Sequence, residues 1–424
     1  MTHRHDEQGR TDRSLAHAGW LGRGPLAALL ALLDRDGEEA RAIGGAVRDA
    51  LLGREPSEID VATTAPPPEV IRRVEAAGFK AVPTGIEHGT VTAVIESRPF
   101  EVTTLREDVA TFGRKAKVRF GRDWKADAER RDFTINALSA SPDGAVHDYV
   151  GGLVDLAARR VRFIGDPATR IAEDYLRILR FFRFHAAYGE GPPDPAGLTA
   201  AIVARDGLAI LSRERIRTEL MKFLVAPGAV PTAAVMAEAG ILGPVLGGVP
   251  FPASLGRMAD LEAALALLPD PVRRLGALAV QTVEDAERLW QRLRLSNAEH
   301  ERLRSMGDAW WRIDAGWEER DARALLYRIG PERFTDRVLL AWTRALADAA
   351  DAAWLRIATV PRRWAAPAFP LKAAAFIRRG LQKGPQLGAA LRAAEEAWIA
   401  ADFPADKDVL DRIADAAAAR ARSA

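Results

Sequence analysis

The run Arg41-Ala-Ile-Gly-Gly-Ala-Val-Arg-Asp49, followed nine residues later by Glu58-Ile-Asp60, constrains this chain more than any other stretch. Apolar Ala42 and Ile43 lead into Gly44-Gly45, and a helix starts near Ala46. A turn without side chains lets backbone N–H groups approach an anion closely, and the helix points its positive end at the same spot. Side chains alternate along a strand, so Glu58 and Asp60 are expected to share one face while Ile59 and Val61 turn into the core. Two carboxylates side by side repel unless a cation holds them. Oxygen ligands at this spacing suit Mg²⁺, which commonly takes one or two protein carboxylates plus phosphate oxygens. Two such ions can activate a hydroxyl and stabilise a leaving phosphate. A plain helix start beside a solvated strand edge would show the same local pattern, so the decision passes to the rest of the chain.

Phe100-Glu-Val-Thr-Thr104 alternates as a strand does and places Glu101 on one face with Thr103. Further on, a helix is predicted to carry Glu173, Asp174, Arg177, Arg180 and Arg183. Residues three apart on a helix are neighbours, so Asp174 and Arg177 would present a hydrogen-bond acceptor beside a donor fork. Cytosine and adenine both offer an amino donor next to a ring nitrogen acceptor, whereas uracil and guanine put a carbonyl where the amino group should be. A carboxylate next to a guanidinium therefore pairs with the first two bases and rejects the others. Each three-residue step turns back by about 60°, which keeps Arg180 near Arg177 and swings Arg183 towards a different surface. An ordinary charged helix laced with i,i+3 and i,i+4 pairs, such as Arg170 with Asp174, has the same composition. Arg48 lies one turn beyond Gly44, and its fork suits an anion, while Asp49 reads as its structural neighbour. Between Arg106 and Glu129 the chain turns basic, with Arg114, Lys115, Lys117, Arg119, Arg122 and Lys125, and reads as a mobile loop.

Together these segments resemble class II of the tRNA nucleotidyltransferase and bacterial poly(A) polymerase superfamily. Gly44 to Gly53 with Glu58 to Val70 is similar to its first motif. Pro83 to Thr92 and Phe100 to Arg106 resemble the next strands of the catalytic head, and Arg130-Arg-Asp-Phe-Thr-Ile-Asn-Ala-Leu138 its third motif. Ala172 to Arg183, and Ser212-Arg-Glu-Arg-Ile216 with Glu219 and Lys222, resemble the neck motifs. About half the chain matches closely. The resemblance implies addition of C, C and A to the tRNA 3′ end from CTP and ATP. It assigns Glu58 and Asp60 to Mg²⁺, Glu101 to a third acid near the metals, and Gly44, Gly45 and Arg48 to the triphosphate. Arg131, Arg180 and Arg183 are implied to touch nucleotide, Asp174 and Arg177 to read the base, and Glu173 to brace Arg177. One departure is Glu58, where the family usually has Asp. The basic loop, by resemblance, favours completion through A. A poly(A) polymerase, an enzyme adding only CC or A, and an inactive RNA-binding homologue are the alternatives the sequence leaves open.

The expected fold is α+β: a nucleotidyltransferase head with a small mixed β-sheet and helices over 25–164, a helical neck over 165–228, and a helical body and tail over 229–424. The first 24 residues, polar and without a signal-peptide core, are expected to fray. With 424 residues, 48% of them apolar, there is material for several cores. A formal charge of +2 means that the acceptor end of tRNA must be met by local basic faces. Absence of Cys excludes disulfides, thiolate metal ligands and cysteine nucleophiles. No apolar run approaches the ~18 residues of a membrane span, so no membrane partner and a cytoplasmic location are expected. His147-Asp148 invites a metal-phosphohydrolase reading, which fails because neither later histidine, His185 or His300, is followed by Asp. Both residues read as structural. Trp290, Trp310, Trp311, Trp317, Trp342, Trp354 and Trp364 read as helix packing in the C-terminal half, and oligomeric state stays open.

Overall fold

Residues 10–112 and 115–423 are described by the computed structural model, and the chain parts into two units, 1–245 and 246–424. In the first unit the strands are β1 (Arg10–Ser14), β2 (Ala40–Ile43), β3 (Asp60–Thr63), β4 (Lys80–Gly85), β5 (Thr90–Ile95), β6 (Arg98–Thr104), β7 (Arg106–Phe112), β8 (Lys115–Phe120), β9 (Ser139–Ala140) and β10 (Ala145–His147). Eight of them form one mixed sheet in the order β1-β10-β9-β2-β3-β6-β5-β4. Only the β3–β6 pair within it is parallel. Along β5 the alternation is clean, with Val91, Ala93 and Ile95 buried against helices and the intervening residues partly open. The helix Gly24–Leu33 supplies Leu26, Leu29, Leu30 and Leu33 to that core. Arg73, from the helix Pro67–Ala76, caps its end by donating to the carbonyls of Leu33 at 3.2 Å and Arg35 at 3.0 Å. The Leu33 carbonyl lies in the helix's last turn, where no following intrahelical N–H meets it.

Two expectations change here. Fraying through residue 24 does not hold for residues 10–24: β1 runs antiparallel to β10, Thr11 Oγ1 donates to the Val146 carbonyl at 2.9 Å, and Leu15 and Leu21 are buried. The strand's partner lies 135 positions away, a distance that local periodicity does not report. Residues 1–9 lie outside the described residues. The basic segment after Arg106 is a two-stranded antiparallel ribbon, β7–β8, followed by the helix Trp124–Glu129 with Asp123 as its N-cap. Arg114 lies outside the described residues.

The neck helices pack within the same unit as the sheet. Phe181 and Phe184, on the helix Leu176–Tyr188, meet Phe133 and Phe163 of the sheet region, with centroid separations of 4.8 Å for Phe133–Phe163, 5.4 Å for Phe163–Phe181 and 5.4 Å for Phe133–Phe184. Offset and tilted rings at these distances attract beyond their area burial. His147 and Asp148 are structural: His147 Nε2 shares a hydrogen bond with Ser141 at 2.6 Å, and the Asp148 carboxylate accepts the backbone N–H groups of Val150, Gly151, Gly152 and Leu153.

Among its described residues the second unit has helices joined by loops and no strand. Its helix Pro331–Ala345 places Asp336 with no exposed surface, where it accepts from Arg273 at 2.9 Å and Arg302 at 2.7 Å. Trp342, Trp354 and Trp398 are core, whereas Trp311 is 58% exposed and so does not pack as expected. Among the described residues no helix is long and apolar enough to cross a membrane.

Replacing Phe181, fully buried in the ring cluster, by Ala is expected to destabilise the first unit by roughly 3–5 kcal/mol. Urea unfolding of the variant measures this, and a loss below about 1 kcal/mol would show that the cluster does not hold the neck to the sheet.

Candidate functional site

β3 brings two chemistries together through its register. Asp60 lies opposite Ile43, the residue before Gly44, on one side, and opposite Glu101 on the other. Gly44 has φ +66° and ψ −120°, a conformation that favours glycine, and it starts the helix Gly45–Leu51. A Cβ on Gly44 would sit 3.6 Å from Arg131 Nη1, and one on Gly45 would sit 3.5 Å from Arg48 Nη2. The glycine turn, Asp60, Glu101, Arg131 and Arg48 are thus brought to one place.

Glu58 is corrected in position. β3 begins at Asp60, and Glu58 stands in the exposed bend before it, so strand alternation does not align the two carboxylates. Its charge is felt nevertheless. Burial first, then Glu58, holds the Asp60 carboxyl above its ordinary range while Arg131 opposes the rise. Glu101 is raised too, by burial and then by Asp60 and Glu58. All three line a cleft of about 560 Å³ with Arg98 and Phe100. Among the described residues no three His, Cys, Asp or Glu side chains form a ready metal cage. Two carboxyls held above their ordinary range, Asp60 and Glu101, with Glu58 on the same cleft, fit a hard cation that completes its shell with substrate oxygens.

Arg48 does not reach outwards. It is 5% exposed beneath the glycine turn and donates to Asp49 at 3.0 Å, Asn136 Oδ1 at 2.5 Å and the Tyr188 hydroxyl at 2.6 Å. Arg131 is held on Asp127, its Nη2 at 3.1 Å, and not on Asp132 or Glu129. Asn136 also donates to Asp132 at 3.2 Å, and Asp132 accepts from Arg180 Nε at 2.7 Å.

The neck differs from one continuous helix. A first helix, Pro167–Glu173, stops, Asp174 is extended at φ −158° and ψ 107°, and the second helix starts at Leu176. Glu173 still braces Arg177 across the break, and its pair on the other side is Arg170 at 2.8 Å. Asp174 does not pair with Arg170. It accepts two hydrogen bonds from Arg215, at 3.2 and 2.6 Å, a residue of the Ser212-Arg-Glu-Arg run to which sequence spacing gave no role. Arg183 stays beside Arg180 instead of swinging away: buried Glu219 accepts from Arg183 at 2.5 Å and stands 3.7 Å from Arg180. Both guanidinium groups lie over the Phe184 ring. Tyr188 and Asn136 went unassigned because only the fold brings them to Arg48.

Residues 40–162 match a family model described as the poly A polymerase head domain, and 199–251 match one described as a probable RNA and SrmB-binding site of polymerase A. The chain is 35% identical over 390 residues to a mitochondrial CCA tRNA nucleotidyltransferase 1 of Danio rerio, covering 91% of this chain and 89% of that protein. It is 34% identical over 393 residues to the protein of the same name in Homo sapiens, covering 91% and 88%. Among solved structures it resembles the Bacillus stearothermophilus CCA-adding enzyme in complex with CTP, with a TM-score of 0.72 and 26% identity over 94% of this chain and 98% of that one.

A carboxyl whose pKa is raised on folding opposes the folded state once pH exceeds that pKa, and the penalty vanishes below the unfolded value of about 3.9 for Asp. In chelator at pH 8, Asp60→Asn is therefore expected to raise the unfolding temperature by roughly 1–4 °C, and the gain shrinks as pH falls. Thermal scans across pH measure this; a variant less stable than wild type at pH 8 contradicts the crowding of carboxylates at β3.

Proposed function

The chain belongs to the CCA-adding tRNA nucleotidyltransferases, and we propose that it adds C, C and A in turn to the 3′ end of tRNA, using CTP and ATP without a nucleic-acid template. The terminal 3′-hydroxyl attacks the α-phosphate, the bond from the α-phosphate to the bridging oxygen breaks, and pyrophosphate leaves. Asp60, with Glu58 and Glu101 beside it, would hold Mg²⁺, which when bound supplies Lewis acidity to the phosphate under attack. Glu101 stands across the strand pair from Asp60, where its carboxylate can take the proton of the attacking hydroxyl. Gly44 and Gly45 offer backbone N–H groups to the triphosphate, with Arg48 supporting the turn from below and Arg131 facing it.

Asp174 and Arg177 read the base in this account. The carboxylate accepts the amino N–H of cytosine or adenine, and the guanidinium donates to the neighbouring ring nitrogen, so UTP and GTP meet an unpaired carbonyl. Arg180 and Arg183, tied to Asp132 and Glu219, form the charged wall beside them. The observation that carries the proposal is the register that sets Ile43, Asp60 and Glu101 side by side and so joins the glycine turn to the acids. Acting on the tRNA acceptor end, the helices after residue 228 would bind the rest of the RNA.

A tRNA transcript lacking its 3′ CCA, incubated with Mg²⁺ and resolved at single-nucleotide length, tests the proposal. Expected are two additions with CTP alone and three, no more, with CTP plus ATP. A long ladder from ATP alone, an arrest after CC when ATP is present, or no extension would each overturn it.

A further inference from the structure

Tyr188 is the last residue of the helix Leu176–Tyr188, and nothing in the chemistry so far uses it. The helix ends at Gly189, extended at φ −82° and ψ 160°, whose N–H still donates to the His185 carbonyl at 2.7 Å and where a Cβ would lie 2.4 Å from His185 Nδ1. The helix end is therefore fixed, and with it the ring. Tyr188 stacks on Phe184 with centroids 6.0 Å apart. The Arg48 guanidinium lies over the same pair of rings, its carbon 3.8 Å from the Tyr188 centroid and 5.5 Å from that of Phe184, and Arg48 Nη2 donates to the Tyr188 hydroxyl at 2.6 Å.

One atom links this contact to the site. The nitrogen that Tyr188 holds, Arg48 Nη2, is also the nitrogen 3.5 Å from where a Cβ on Gly45 would stand. Nε and Nη1 of the same guanidinium are tied to Asp49 and Asn136. A planar fork with its other two nitrogens fixed has its rotation about the plane settled by the third partner, and a stacked ring beneath it fixes its tilt. We propose that Tyr188 is a positioning residue for triphosphate binding, its hydroxyl fixing the Arg48 nitrogen that supports the Gly44–Gly45 turn. The inference rests on the reading of that turn as the triphosphate site. It places the seat of the triphosphate partly under the control of the C-terminal end of the helix whose N-terminal end carries the base reader.

Tyr188→Phe in the full chain removes the hydroxyl and keeps both stacks. Loss of one positioning hydrogen bond, one step removed from the nucleotide, predicts a KM for CTP raised roughly five- to tenfold with kcat within about twofold. The concentration of inorganic pyrophosphate giving half inhibition should rise by a similar factor, because pyrophosphate probes the turn without a base. In an Arg48→Lys background the same change should add less than about twofold, since the nitrogen it positions is gone. Unchanged KM and unchanged pyrophosphate inhibition, in a variant of wild-type or lower unfolding temperature, would overturn the role and leave Tyr188 a packing residue. So would full additivity with Arg48→Lys. A wild-type protein that extends no tRNA would instead refute the underlying activity, so the two failures are separate.

Discussion

Asp132 ties the sheet region to the helix proposed to read the base, and the geometry of the site depends on that tie. Its carboxylate accepts from Arg180 Nε at 2.7 Å, stands 2.6 Å from Arg180 Nη2 as an ion pair, and accepts from Asn136 Nδ2 at 3.2 Å and from its neighbour's backbone, Phe133 N–H, at 2.9 Å. Burial pushes this carboxyl up, but Arg180 and the hydrogen bonds outweigh burial and hold it below the ordinary range. It is thus charged and fully partnered, the condition under which a buried ion is tolerated. Phe133, next in sequence, starts the ring cluster that packs Phe181 and Phe184 of the same helix. Ionic and apolar contacts act on one short segment, which keeps the glycine turn and the neck in a fixed relation.

How much of this could be read from the chain depended on whether the determining force was local. The glycine turn was legible because a residue at φ +66° favours glycine whatever surrounds it. Alternation along Phe100 to Thr104 was legible for the same reason. By contrast, the pairing of Asp60 with Glu101 joins parallel strands, a relation that no single segment encodes. The break at Asp174 has no proline or glycine to announce it; its side chain is engaged by Arg215 from another helix. Arg183 was sent to the wrong surface by ideal helical geometry, because a long side chain follows its partner, here Glu219, more than its Cβ direction. Glu58 was aligned with Asp60 by an alternation that applies only once the strand has begun.

The Asp174–Arg215 pair adds a condition to base reading. Two N–H donors of Arg215 occupy the carboxylate, at 3.2 and 2.6 Å. An incoming amino group must share that carboxylate with Arg215 or take a donor's place. A carboxylate has about four lone-pair positions, so sharing is possible. With Arg177 held by Glu173 across the same break, both reading groups are preorganised by neighbours that do not contact the base in this account. Such bracing is what allows side chains to stand where a template strand would otherwise be needed.

Selection by protein side chains is the central claim, and the ratio of kcat/KM for CTP to that for UTP, on a tRNA ending before CCA, tests it most directly. Wild type is predicted to prefer CTP by roughly a hundredfold or more, with the preference falling to within about tenfold in Asp174→Ala while the variant keeps its fold. An undiminished preference in Asp174→Ala would contradict the account and move base selection elsewhere in the molecule.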